Sequence, residues 1–319
     1  MKTLEEFRQF YETRLSPDLH ALEQDRKRLA RNIAIAAAII LVPLVILALT
    51  LFRRVGPAAA FPLIAALIIF AAVAYFLSRT FTIQFKQSVI APIVRFVNAG
   101  LTYSPTDYIP QTLFEASKIF TTEPNQYTGD DRISGKVGDT AIDFSQIKAE
   151  RETGSGKNRS RHTIFKGLFF TADFNKRFVG QTLVLPDTAE KLFGHVGQMM
   201  QSWNIARDNL IKLEDPEFEQ LFVVYGTDQI EARYILSTSL MERIVAFRRK
   251  TGRDIYISFL HSKVAVAIPY TRQLFEPKIF TSLLDYSVIC EYFDDLQLAV
   301  GIVEDLNLNT RIWSKQKEA

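Results

Sequence analysis

The chain's 319 residues hold 38 Lys/Arg against 35 Asp/Glu, 48% apolar side chains and a single cysteine, Cys290. One cysteine excludes an intramolecular disulfide and the usual thiolate zinc sets. Nine of the cations and six of the acids precede Ser78, so residues 78–319 carry 29 of each; a formally neutral body excludes a nucleic-acid binder held by gross charge.

Residues 1–31 place Leu4, Phe7, Tyr11, Leu15, Leu19, Leu22 and Leu29 on one helical face. "SPD" at 16–18 predicts a break between two amphipathic helices, with Ser16 as cap and Pro17 in the new first turn.

Residues 32–78 read as a transmembrane helical hairpin. The run 32–52 has no charge and is long enough to cross about 30 Å of hydrocarbon, and 58–77 repeats the pattern. Pro43 and Pro62 would break soluble helices but are tolerated in membrane ones. A cleaved signal peptide fits badly, because the first apolar run begins after 31 mixed-charge residues. Only "RRVGP" separates the two runs. Arg26, Lys27, Arg28, Arg31, Arg79 and Lys86 flank the open end against Arg53 and Arg54 at the closed end. The positive-inside rule then predicts a multi-pass protein of the bacterial inner (cytoplasmic) membrane with both termini in the cytoplasm, in contact with the bilayer through residues 32–77.

Residues 79–129 are expected to form a helical stalk and linker. Phe81, Phe85, Val89, Ile93 and Val97 recur every four residues, which predicts a helix paired with the N-terminal ones. The competing arrangement lays each helix flat in the lipid interface.

Residues 130–319 predict a cytoplasmic α+β domain, mostly antiparallel, with a few helices. Strands are expected on both sides of Gly138-Asp139, at 162–172 paired with 181–186, at 218–225, and in a hairpin turning at His261-Ser262. One helix should run from Ser239 to Lys250 with a Ser239/Glu242 capping box and a stop at Gly252, and a last one from Ser282 to Leu306. "ETGSGKNRSR" at 152–161 reads as a flexible hairpin tip.

Within "FKGLFFTADFNKRFVG" at 165–180, apolar residues fall on both parities, as in a strand buried on both faces. Lys166 sits near its start, where its stem can lie on apolar surface while the ammonium reaches water. A desolvated catalytic lysine needs a partner that the sequence does not supply.

"GSGK" at 154–157 lacks the earlier glycine and the following Ser/Thr of a phosphate loop, since Arg151 and Asn158 occupy those places. Lys157, Arg159 and Arg161, with His162, are candidate contacts for anionic membrane surface, the alternative being a plain solvated loop. The histidines at 20, 162, 195 and 261 share no metal-ligand spacing. Glu214, Asp215, Glu217 and Glu219 are a carboxylate cluster that suits acid–base work or calcium only if the four converge; an Asp215-Pro216 turn between two strands explains them too. Asp228 and Glu231 have capping-box spacing.

Several stretches together resemble the bacterial domain-of-unknown-function 3137 family: "LTYSP" at 101–105, "ISGKVGDTAIDFSQI" at 133–147, "FKGLFFTADFNK" at 165–176, "LEDPEFE" at 213–219, "DQIEARYIL" at 228–236, "MER" at 241–243 and "FEP" at 275–277. The resemblance implies a membrane anchor but no reaction, cofactor, metal or catalytic residue. It also implies a membrane-protein partner of LemA-like kind, because members are sometimes encoded beside LemA-like proteins. The expectation is a non-enzymatic, membrane-anchored protein whose cytoplasmic domain binds a protein partner or scaffolds a membrane complex. A small-molecule or lipid-headgroup sensor is the second reading, and a hydrolase using the 214–219 carboxylates the third.

Overall fold

The computed structural model describes residues 2–56, 60–174, 176–187 and 210–308. Asn175, Pro57, His195 and Ala319 lie outside the described residues, as do the side chains of 51–55, 60–63 and Lys157. The chain divides into two compact units, 97–274 with 294–319, and 2–96 with 275–293.

The second unit is built on long helices. Helix α1 (Leu4–Phe10) starts from a capping box between Thr3 and Glu6. A wide π-turn at Tyr11–Leu15 leads into α2 (Ser16–Val55), so the chain stays helical through "SPD" instead of restarting there. The π-turn explains the continuity. Pro17 has no N–H and its ring would strike the Thr13 carbonyl, a clash that the wider turn relieves. The same device recurs after α3 (Ala60–Phe85), where a π-turn at Lys86–Ile90 precedes Pro92 in α4 (Ala91–Val97).

Phe7, Leu15, Leu19, Leu22, Phe85, Val89 and Ile93 are buried in this unit, whereas Leu4, expected on the same face, is 60% exposed. Phe96 stacks on Phe10 with ring centroids 4.3 Å apart, joining α4 to the end of α1. Phe293, nearly 300 residues along the chain, stacks on Phe7 at 4.0 Å. The segment 275–293 is also held by buried charge. Glu23 accepts from the Leu283 amide at 3.0 Å and from Arg26, whose other arm donates to the Ile279 carbonyl at 2.7 Å. Lys86, only 2% exposed, pairs with Glu276 at 2.7 Å.

The first unit is a nine-stranded sheet. Its strands are β1 (Leu101–Ser104), β2 (Gln126–Val137), β3 (Thr140–Thr153), β4 (Ser160–Asp173), β5 (Gln181–Pro186), β6 (Leu210–Ile211), β7 (Phe222–Gly226), β8 (Tyr256–Leu260) and β9 (Lys263–Pro269). They lie in the order β1-β2-β3-β4-β9-β8-β5-β7-β6 with every pair antiparallel, so the α+β class holds. The turns at Gly138-Asp139 and His261-Ser262 fall as expected. His261 and Ser262 have φ of 50° and 58°, the left-handed pair of a tight two-residue hairpin turn.

Other expectations need correction. β4 does not pair with β5: it lies between β3 and β9, and β5 lies between β7 and β8. β4 is apolar on both faces, which suits a central position but names no partner. Leu101–Ser104, expected within the stalk and linker, is an edge strand on β2. Residues 216–221 are a helix rather than the start of a strand. The helix expected from Ser239 begins at Thr238 behind Ser237, with no capping box, and the last helix begins at Tyr286 rather than Ser282.

β4 carries the core. Phe165 and Phe169 pack on one face with Ile109, Phe114, Ile119 and Ile147. Phe170, on the other, meets Phe144 across the β3–β4 pair at 6.0 Å. Gly167 is required where β4 crosses β9, because a Cβ there would come within 2.1 Å of the Ile268 carbonyl oxygen. Lys166 is half-buried, and its ammonium donates to the Thr271 carbonyl at 3.1 Å. The strand at 165–172 is core, with Lys166 bonded near its edge.

Candidate functional site

Helix α6 (Pro216–Leu221) begins where Asp215 accepts from the amides of Glu217 and Phe218, with Pro216 in the first turn. Glu219 turns back to accept from the Leu213 amide at 2.8 Å. Glu217 instead pairs with Arg249 on another helix, and Glu214 is exposed. Three of the four carboxylates are thus spent on separate bonds and the fourth, Glu214, is exposed, so the bonds do not gather them at one point.

Arg249 belongs to α8 (Thr238–Thr251), which follows the short α7 (Gln229–Ile235). Leu240, Met241, Ile244, Val245 and Phe247 form its buried stripe. Gly252 ends it in the left-handed conformation, and Arg248, Arg249 and Lys250 offset the negative end of its dipole.

A cleft of about 410 Å³ opens between α6 and this helix end, lined by Glu217, Gln220, Leu221, Arg248, Arg249, Gly252, Arg253 and Asp254. Three guanidinium groups face two carboxylates. Arg248 donates to Asp254 at 2.9 Å and lies 5.6 Å from the Phe222 ring centroid, while its Nε is buried without a partner. The Arg253 guanidinium lies 4.2 Å from the ring centroid of Tyr270. Burial pushes the Tyr270 hydroxyl pKa up, with Asp295 adding to the rise. Two of the three arginines are therefore braced on aromatic faces, and the third is held by an exposed ion pair.

A second surface lies where the chain after β4 meets α7. Asp228 caps α7 through the Ile230 and Glu231 amides. Glu231 does not close the expected capping box: it accepts from the amides of Val179 and Gly180 at 2.8 and 2.6 Å. Lys176 caps the other end of α7 by donating to the Tyr234 carbonyl at 2.5 Å, and burial lowers its pKa. This clamp leaves Val179, Ile230 and Tyr234 exposed at 82%, 83% and 46%, with the Lys176 ammonium 4.6 Å from the Tyr234 ring centroid.

The candidate membrane-contact residues sit at the tip of the β3–β4 hairpin. Arg159 pairs with Glu152, and Arg161 reaches Glu152 at 3.2 Å and Glu150 at 3.8 Å, so β3 carboxylates partly neutralise this tip. Of the histidines, His20 is on α2, bonded to the Ser16 carbonyl; His162 is on β4 and His261 in the β8–β9 turn. Sequence reasoning missed Arg248, Arg249 and Arg253. The signal was "RRKTGRD" at 248–254, which was read only as a helix end.

The described fold defines an α+β protein with a large antiparallel sheet and two helices long and apolar enough to cross a membrane. Residues 163–308, which contain the cleft and the α7 surface, match the sequence model of the family described as "Protein of unknown function (DUF3137)". The family resemblance is borne out over that span. No curated protein matches the chain. Among solved structures, the crystal structure of the mycobacterial trehalose monomycolate transport factor A, TtfA, is similar at 10% identity and a TM-score of 0.33, covering 69% of this chain and 93% of that one. A likeness that slight says nothing about what this chain does.

Proposed function

We propose that the chain is a non-enzymatic, membrane-anchored protein of the bacterial inner membrane, and that its sheet domain binds a protein partner in the cytoplasm. One observation carries the anchor. In each of the helices Leu4–Thr50 and Ile64–Val97, only 11% of the membrane-length apolar window is buried, whereas a soluble core helix would be covered. Ile39, Leu49, Ile68 and Phe76 all stand more than 60% exposed, a surface that lipid suits and water does not. The flanking arginines and lysines support cytoplasmic termini.

The partner reading draws support from the exposed apolar side chains of Val179, Ile230 and Tyr234 on and beside α7. They suit a protein that presents apolar side chains of its own. A LemA-like membrane protein is the partner class to try first.

The test is labelling in intact cells. In a Cys290→Ser background, Val55→Cys should react with an impermeant maleimide, and a reporter fused after Ala319 should behave as cytoplasmic. Labelling only after permeabilisation reverses the orientation, and recovery in the soluble fraction ends the anchor reading. A photo-crosslinker at Ile230 should capture a discrete partner. A lone monomer under every condition counts against the binding role.

A second reading, a small-molecule or lipid-headgroup sensor, is favoured by one feature, the arginine-lined cleft.

A further inference from the structure

We propose that the cleft between α6 and the end of α8 is a binding site for a small ligand carrying a phosphate group. The inference deepens the sensor reading and rests on it alone.

Four observations converge on this chemistry. The volume of about 410 Å³ lies in the range of small-molecule sites. Its lining carries one net positive charge, from Arg248, Arg249 and Arg253 against Glu217 and Asp254. Guanidinium forks match phosphate oxygens, and two of these forks are already oriented by the Phe222 and Tyr270 rings, so little side-chain freedom remains to be lost on binding. Finally, the Arg249 side chain is 67% exposed, which keeps its guanidinium within reach of an incoming anion.

Helix capping does not account for the whole arrangement. Cations in the last turn of α8 offset its dipole, which explains the charge of Arg248 and Arg249. Arg253 lies beyond the helix, after Gly252, and the dipole does not call for it. The Arg249–Glu217 pair is exposed on both sides, at 67% and 49%, so it is weak and can open when an anion competes for Arg249. Glu217 and Asp254 then act as the counter-ions of these arginines in the ligand-free protein.

The experiment uses the full chain in phosphatidylcholine nanodiscs and three probes followed by calorimetry: inorganic pyrophosphate, dihexanoyl phosphatidic acid and citrate. Pyrophosphate or the soluble lipid should bind with a Kd below about 1 mM, and Arg253→Gln should weaken binding by roughly tenfold or more. Pyrophosphate alone binding identifies a free phosphate ligand, and the short-chain lipid alone identifies a headgroup. Arg248→Gln should act in the same direction, while Lys263→Gln, on β9 and outside the cleft lining, should leave binding unchanged. Arg253→Gln guards against misfolding of the Arg248 variant, whose Asp254 bond is lost. Three results overturn the inference: no phosphate probe binds; binding is unaffected by Arg253→Gln; or citrate alone binds with arginine dependence. The last rejects phosphate while leaving a sensing pocket in place. Failure of all three probes removes both.

Discussion

Replacing Phe169 by alanine measures how much of this fold hangs on β4. The ring is fully buried, and its centroid lies 5.1 Å from that of Phe114 on α5 (Gln111–Ala116). Its register neighbours, Ser145 on β3 and Ala267 on β9, are too small to fill the space a ring would leave. Nor can the covering segment settle inward, because Ile109 is tied at both backbone groups, its amide to Ser145 Oγ at 3.0 Å and its carbonyl to the Tyr127 hydroxyl at 2.9 Å. A cavity that cannot collapse puts the loss in the upper part of the ~3–5 kcal/mol range for Phe→Ala, including about 1 kcal/mol from the lost ring pair. A loss near 4 kcal/mol raises the open population roughly a thousandfold and removes a large share of a typical domain's stability. The assay is urea titration of the full chain in detergent, read by hydrogen exchange of β4 peptides. A loss under about 1 kcal/mol would show that the segment over β4 repacks freely and that this account of the core is wrong.

Lys166→Met keeps the apolar stem and removes one bond to the Thr271 carbonyl, so the same assay should show a loss of no more than about 1 kcal/mol; unfolding of this variant would restore the case for an essential lysine. Asp215→Ala removes the acceptor for two amides at the start of α6 and should cost about 0.5–2 kcal/mol, visible as faster exchange at 216–221; unchanged exchange would contradict the cap. Glu23 has its carboxyl held down from 4.5 to about 2, first by the hydrogen bond from Arg26, so its folded pKa lies below the unfolded one. Its contribution, of order 3 kcal/mol, is present above pH 4.5 and is lost as pH falls toward about 2. Exchange in α2 around Glu23 should accelerate over that window in the parent and change much less in Glu23→Gln; identical profiles would rule out this pair as the cause.

Burial on both faces of 165–172 was legible because apolar residues on both parities are a local property, and so were the charge-free runs at 32–52 and 58–77. Turn chemistry placed Gly138-Asp139 and His261-Ser262 for the same reason. Capping motifs were legible only in part. Asp228 caps α7 as its spacing indicates, yet Glu231 serves a loop fifty residues upstream, and α8 starts behind Ser237, whose side chain makes no cap bond, so the Ser239/Glu242 spacing marked a helix start without a capping box.

Strand partners were not legible. β4 joins β9, about a hundred residues away, rather than the neighbouring β5, since closing a longer loop costs only a logarithm while packing decides between candidate edges. The buried charges were opaque for a related reason. Glu23 carries no signal in its own segment and Lys86 reads as one of the cations flanking the membrane hairpin, because an isolated charge belongs in water. Their burial depends on Arg26, Glu276 and the Leu283 amide, and two of those three come from the far end of the chain. The arginine cleft likewise joins 217–221 to 248–254. Periodicity and residue type record what each segment needs to hide or expose, whereas the partner that satisfies the need exists only once distant segments are packed together.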